Sequence, residues 1–136
     1  KNNPKSLTLI EKDNILFNEL KIQYNDQKNV IIHNKDILKF NLEDKLKNTI
    51  IFGNLPYNIS SQILAKIIKF KKKPPCYSEL ILMFQKEMAQ KIIGEFNTSK
   101  YGRLSILTNY KLEVLNKFDV SPNCFLPKPK IRQPFL

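Results

Sequence analysis

The residues best suited to chemistry are Asn54, Pro56 and Tyr57, in the run Asn54-Leu55-Pro56-Tyr57. Their types suit the holding of an adenine amino group for attack on an electrophilic methyl group. The exocyclic nitrogen of adenine is a poor nucleophile, because its lone pair is delocalised into the ring. Two acceptors aimed at its two hydrogens favour a more tetrahedral nitrogen with a freer lone pair. The side-chain oxygen of Asn54 and the backbone carbonyl of Pro56 can serve. The Pro56 ring also holds Leu55 extended and stiffens the turn. Tyr57 can stack on the base, an interaction worth roughly 1–3 kcal/mol. No strong base is needed, because the methylated nitrogen is acidic and loses its proton to water. The rest is alignment, a proximity effect. A base inside a duplex could not reach such a pocket, so the target must be single-stranded or flipped. The alternative is an ordinary strand-to-helix turn with a partly buried tyrosine. Its place after a strand and before a helix, in a basic α/β chain, favours chemistry.

The elements that must position this turn follow from periodicity. Leu7-Thr8-Leu9-Ile10 reads as a buried strand ending at Glu11. Asp13 can cap a helix carrying Ile15, Leu16, Leu20 and Ile22 through about Tyr24. Val30-Ile31-Ile32 is a second strand, closing at Asn34-Lys35-Asp36, and residues 37–46 read mostly as loop. Thr49 to Asn54 is a third strand. Ile59 to Phe70 reads as a helix with Ile63, Leu64, Ile67 and Ile68 on one face, and Ser60 and Ser61 are available to cap it. Lys71-Lys72-Lys73-Pro74-Pro75 stops it. Glu79 to Phe84 is a fourth strand, followed by helices over Glu87–Glu95 and Gly102–Tyr110. Leu112 to Val120 alternates in part, as a half-exposed strand does, and the Pro-rich tail from Pro122 to Pro134 reads as extended.

Strands alternating with helices imply a largely parallel sheet with helices on its faces. Ligands of such sheets bind beyond the carboxyl ends of the strands. Three of those ends carry polar residues, Glu11, Asp36 and Asn54. Each alone reads as a cap or turn residue; three on successive strands point to a binding edge.

Composition narrows the partners. The net charge is +11, which implies a polyanion, and nucleic acid leads. Compositional bias toward Lys, Asn and Ile is the alternative source. No apolar run is long enough to cross a bilayer. Cys76 and Cys124 have no metal-ligand spacing and His33 is the single histidine, so no zinc or other metal site is expected. The cysteines suit a reducing cytosol as free thiols.

The same turn carries a family resemblance. Asn54-Leu55-Pro56-Tyr57-Asn58-Ile59-Ser60 resembles the catalytic motif of the ribosomal RNA adenine dimethyltransferases. Met83-Phe84-Gln85-Lys86-Glu87-Met88-Ala89, Tyr101-Gly102-Arg103-Leu104-Ser105 and Phe125-Leu126-Pro127-Lys128-Pro129-Lys130 resemble three further elements of that family, in the same order. The leucine at position 55 is more like the small-subunit, KsgA-type branch than the macrolide-resistance methylases of the large subunit. The resemblance implies a Rossmann-like, class I S-adenosylmethionine-dependent methyltransferase fold and dimethylation of adenine N6 in small-subunit ribosomal RNA. It implies a cytoplasmic monomer without metal. Glu11 would accept from the cofactor ribose hydroxyls. Asp36 would accept from the cofactor adenine amine, with Ile37 packed on its ring. Asn54 and Pro56 would hold the target amine, with Asn54 also near the cofactor, and Tyr57 and Phe125 would sandwich the target base. Lys86 and Arg103 are candidates for RNA phosphates; a solvated basic face or a structural ion pair is the alternative. For Phe125 the alternative is an anchor for the tail.

Two departures shape the expectation. The family's first strand and Gly-rich cofactor loop should precede Leu7, yet the glycines are Gly53, Gly94 and Gly102 and none forms Gly-x-Gly. The family's helical C-terminal domain is also absent, and Ile131 to Leu136 differs from the usual Val-Asp-Ser, with Pro134 expected to interrupt a final strand. A chain opening on Lys1 is therefore expected to be the central part of one catalytic domain, over residues 1–136, that binds cofactor poorly by itself. Missing a central strand, it is also expected to expose sheet edges. Two other functions compete: a non-catalytic RNA-binding module of the same fold, and an adenine methylase acting on large-subunit RNA or on DNA.

Overall fold

The computed structural model describes residues 4–42, 48–69, 77–124 and 133–135, the last by backbone alone. In chain order the elements are β1 (Leu7–Glu11), α1 (Asn14–Gln23), β2 (Val30–Asn34), β3 (Thr49–Asn54), α2 (Ser60–Ile68), β4 (Tyr77–Met83), α3 (Lys86–Ile92), α4 (Arg103–Lys111), β5 (Phe118–Val120) and β6 (Gln133–Phe135). The chain divides after Asn41 into two compact units.

The first unit is a β-α-β crossover. β1 and β2 pair in parallel, from Leu7↔Val30 to Glu11↔Asn34. Parallel strands need a crossover, and α1 provides it. Asp13 starts that helix as expected: its carboxylate accepts from the amides of Ile15 (2.8 Å) and Leu16 (3.0 Å). No residue of α1 is buried. Ile15 is 71% exposed and Ile22 79%. Phe40 is buried, with its ring tilted against His33 at 4.9 Å between centroids.

The second unit holds a sheet in the order β3-β4-β6-β5. β3 and β4 are parallel, closing with Asn54↔Met83, and β6 runs antiparallel to both its neighbours. The apolar face read from the sequence of α2 is the buried one: Ile63, Leu64, Ile67 and Ile68 join Leu82, Met83, Phe84, Ala89 and Ile92 in the core. Helix α4 buries hydroxyls instead. Ser105 Oγ accepts from the Gly102 amide and donates to the Gly102 carbonyl, both at 2.8 Å. Thr108 Oγ1 donates to the Leu104 carbonyl at 2.8 Å. Each hydroxyl is satisfied by its own helix, so α4 can pack on α2 and α3 without stranding a polar atom.

Four expectations change. The half-exposed strand over Leu112–Val120 reduces to Phe118–Val120, because residues 112–117 have no ladder partner and partial alternation alone does not make a strand. The helix expected to reach Glu95 ends at Ile92. The chain must turn there, since Gly94 lies so close to Lys100 that an added Cβ would sit 2.6 Å from its carbonyl oxygen. The tail is not uniformly extended: Pro122–Cys124 is a 3-10 turn. Nor does Pro134 prevent a final strand. It pairs with Asp119 inside β6, whose contact with β4 is the single pair Met83↔Phe135, short enough to tolerate a missing donor.

Candidate active site

The turn after β3 is built on two small facts of packing. A Cβ on Gly53 would stand 2.7 Å from Leu55 Cδ2 and 3.0 Å from Leu82 Cδ2. Its absence lets Leu55 fold back into the core, where it is buried. With Leu55 as anchor, Asn54, Pro56 and Tyr57 face outward; Tyr57 is 47% exposed.

The backbone of the turn is then pinned twice. The Ile59 amide donates to the Pro56 carbonyl at 3.1 Å. The Ser60 hydroxyl, on a buried side chain, donates to the Tyr57 carbonyl at 3.3 Å. Both peptide planes flanking Tyr57 are thereby held. The Pro56 oxygen keeps a second lone pair for an incoming amine. Ser60 does not cap α2 as its sequence position indicates: the N-cap is Ile59, without a side-chain cap bond. Ser60 already stands in the first helical turn, and its hydroxyl reaches back to the turn instead of forward to the helix amides. A serine next to the motif was the available signal, but its direction was not legible.

In the first unit, Glu11 closes β1 and Asp36 lies two residues beyond the end of β2. Glu11 Oε1 accepts from the Asp13 amide at 2.7 Å. Asp36 Oδ1 accepts from the Leu38 amide at 2.9 Å, and its Oδ2 meets Lys12 Nζ at 3.0 Å. The Leu38 amide, then the Lys12 ammonium, hold the Asp36 carboxyl below the usual carboxylate range. The two strand ends are tied further. The Lys35 amide donates to the Glu11 carbonyl at 3.1 Å. With its oxygen and nitrogen exchanged, the Asn34 side-chain amide donates to the carbonyls of Glu11 (3.0 Å) and Lys12 (3.2 Å). Ile37 is half-buried beside Asp36. This set suits a ribose and an adenine: carboxylates accept from vicinal hydroxyls and from an amine, and an aliphatic side chain meets a ring. Lys12 is the participant that sequence reasoning missed. Its signal was register, since Glu11↔Asn34 pairing brings residue 12 level with the chain leaving β2.

The remaining candidates are Lys86, Arg103 and Phe125. Lys86 forms an ion pair with Asp119 at 3.5 Å, both side chains about half exposed. Arg103 is exposed at the first position of α4. Phe125 lies outside the described residues, as do Cys76 and the run 71–75. Cys124 is an exposed free thiol. Among the described residues no group of His, Cys, Asp and Glu could hold a metal ion, and no helix is long and apolar enough to cross a membrane.

Against this geometry the comparisons agree on one family. The model described as "Ribosomal RNA adenine dimethylase" matches residues 1–133. A protein of Pelagibacter ubique named "Ribosomal RNA small subunit methyltransferase A" is 46% identical over 135 residues, covering 96% of this chain and 50% of its own length. A Malacoplasma penetrans protein of the same name is 42% identical over 129 residues, covering 93% of this chain and 45% of its own. The chain thus spans about half the length of the curated relatives it matches. Among solved structures, a dimethyladenosine transferase from Plasmodium falciparum superposes with a TM-score of 0.77 at 26% identity, over 96% of this chain and 46% of that one. The 23S rRNA methyltransferase ErmE superposes with a TM-score of 0.69 at 24% identity, over 98% and 52%, and speaks for the fold alone. The fold is that of Rossmann-like methyltransferases.

Proposed function

The chain belongs to the ribosomal RNA adenine dimethylase family, and from that premise we propose that it forms the central part of a catalytic domain that methylates adenine N6 in small-subunit ribosomal RNA. The observation that carries this reading is the turn at the carboxyl end of β3: exposed Asn54, Pro56 and Tyr57 held on a buried Leu55. Asn54 Oδ1 and the Pro56 carbonyl accept the two amine hydrogens of the target. Tyr57 stacks on its ring, and Phe125 takes the other face. S-adenosylmethionine, when bound, supplies an electrophilic methyl group on a sulfonium sulfur. Glu11 accepts from its ribose hydroxyls, Asp36 from its adenine amine, and Ile37 packs on that adenine. The amine loses its proton to water after transfer, so the chain needs no dedicated base. Repetition of the step on the same nitrogen gives the dimethylated base. Lys86 and Arg103 meet RNA phosphates, and the protein works as a monomer in the cytoplasm on the small subunit or its precursor.

The Gly-x-Gly that would cradle the methionine end of the cofactor is not among residues 1–136. The test uses the intact protein and methyl-labelled S-adenosylmethionine with immature small-subunit particles. Asn54→Ala removes a positioned acceptor and is expected to lower transfer by about 10²–10³-fold. Tyr57→Ala is expected to lower it by about tenfold or more through lost stacking. Transfer undiminished in both variants would overturn these roles.

A further inference from the structure

A cavity of about 330 Å³ opens between α3 and β5 in the second unit. It is lined by Ala89, Ile93 and Phe118 together with Lys86, Gln90, Lys117 and Asp119. Phe118 is 61% exposed, so part of its aromatic surface is open to solvent. The Lys86–Asp119 pair across the rim is long, at 3.5 Å, and part-exposed. Such a pair contributes little to stability, so Lys86 can exchange Asp119 for a phosphate at small cost.

The sheet register places this cavity relative to the catalytic turn. Asn54 pairs with Met83, Met83 with Phe135 and Phe135 with Phe118. These four residues form one row across the sheet. Three strand spacings separate Asn54 from Phe118, about 14 Å. A single strand of RNA that left the target base along the strand ends would reach Phe118 within a few nucleotides.

We propose that this α3–β5 cavity is a second nucleotide subsite, which takes an unpaired nucleotide of the substrate RNA a few positions from the target adenine. The base stacks on Phe118, Gln90 meets its edge, and Lys86 and Lys117 hold the flanking phosphates. An aromatic face beside basic side chains is how single-stranded RNA is held with little sequence preference. The net charge of +11 supplies the long-range attraction but cannot by itself choose a path; the ring fixes one. The assignment rests on the methyltransferase reading, and its test keeps the two separable.

Binding of the intact protein to a fluorescent single-stranded segment of small-subunit RNA is measured by anisotropy over a series of salt concentrations. Phe118→Ala is expected to weaken binding about tenfold without changing the salt slope. Lys117→Gln is expected to lower the slope by about one. Phe118→Trp, which keeps a stacking face, should bind within about twofold of the wild type, and this separates stacking from a folding defect. RNA carrying a photoreactive uridine near the target should crosslink to the peptide containing Phe118. If the wild type methylates RNA while Phe118→Ala and Lys117→Gln bind it as the wild type does, the subsite is wrong and the catalytic reading stands. An equal loss in Phe118→Ala on fully paired RNA also overturns it, since a paired base cannot stack there. A wild type that binds RNA but transfers no methyl group overturns the catalytic reading instead.

Discussion

The two units of this chain handle apolar surface in opposite ways. In the second, α2 lies against α4 and turns Ile63, Leu64, Ile67 and Ile68 inward, and all four are buried. In the first, α1 is capped, regular and correctly placed between its strands, yet none of its residues is buried. Phe40 is the residue of that unit with a buried apolar side chain among those described. The lesson is that a helix can be well specified locally, by a cap and by spacing, without a core to receive it. Local signals set an element's existence; buried area sets its stability. The division also follows chemistry. The carboxylates proposed for the cofactor, Glu11 and Asp36, stand on the weakly buried unit, and the turn proposed for the target base stands on the well-packed one.

The largest test of this contrast is truncation of matched side chains. Ile63→Ala, at a site 2% exposed, is expected to cost about 2–5 kcal/mol in denaturant unfolding of the intact protein. Ile22→Ala, at a site 79% exposed, should stay within about 0.5 kcal/mol. A cost at Ile22 like that at Ile63 would break the comparison, because it would mean that α1 is covered in the intact protein.

A second pair sharpens the picture inside the well-packed unit. Gly94→Ala drives a Cβ to 2.6 Å from the Lys100 carbonyl oxygen, whereas nothing lies within 4 Å of a Cβ on Gly102. Gly94→Ala is expected to destabilise by about 1–3 kcal/mol, and Gly102→Ala by much less. Equal melting temperatures for the two variants would contradict the close approach.

Ser60→Ala probes the support of the turn proposed as catalytic. It leaves the Tyr57 carbonyl without the hydroxyl at 3.3 Å, for a loss of about 1 kcal/mol. Methyl transfer should fall by several-fold through kcat, and Ser60→Thr should restore part of it. No change in kcat would reduce Ser60 to a packing residue.

The smallest effect lies in the first unit. The Asp36 carboxyl is held low, first by the Leu38 amide and then by Lys12. Its folded value is below its unfolded one. Its contribution to stability is therefore present above the ordinary carboxylate range and is lost as pH falls through the lowered value. Lys12→Met should move the Asp36 titration, followed by carboxyl NMR, back toward the ordinary range but not fully to it, because the Leu38 amide remains. No movement would mean that the 3.0 Å ion pair is not populated in solution.

Much of this molecule could be read without coordinates, for a physical reason. Strands β1 and β3 end at Glu11 and Asn54, where the sequence reading ended them, because an apolar β-branched run followed by a polar residue is a local signal. The Asp13 cap and the buried face of α2 are likewise local. The motif at Asn54-Leu55-Pro56-Tyr57 identified the family, and four ordered elements made that identification specific. What depended on tertiary structure was every relation between residues distant in sequence. Lys12 reaches Asp36 because strand register brings their loops level. Helix α3 stops at Ile92 because Gly94 meets the backbone of Lys100. Phe118 shares a row with Asn54 because β6, though it carries a proline, pairs between β4 and β5. Sequence alone determined the family and which residues are proposed for the chemistry, since residue type and local spacing carry that information. The fold decided what supports them, because packing and register arise only when remote segments meet.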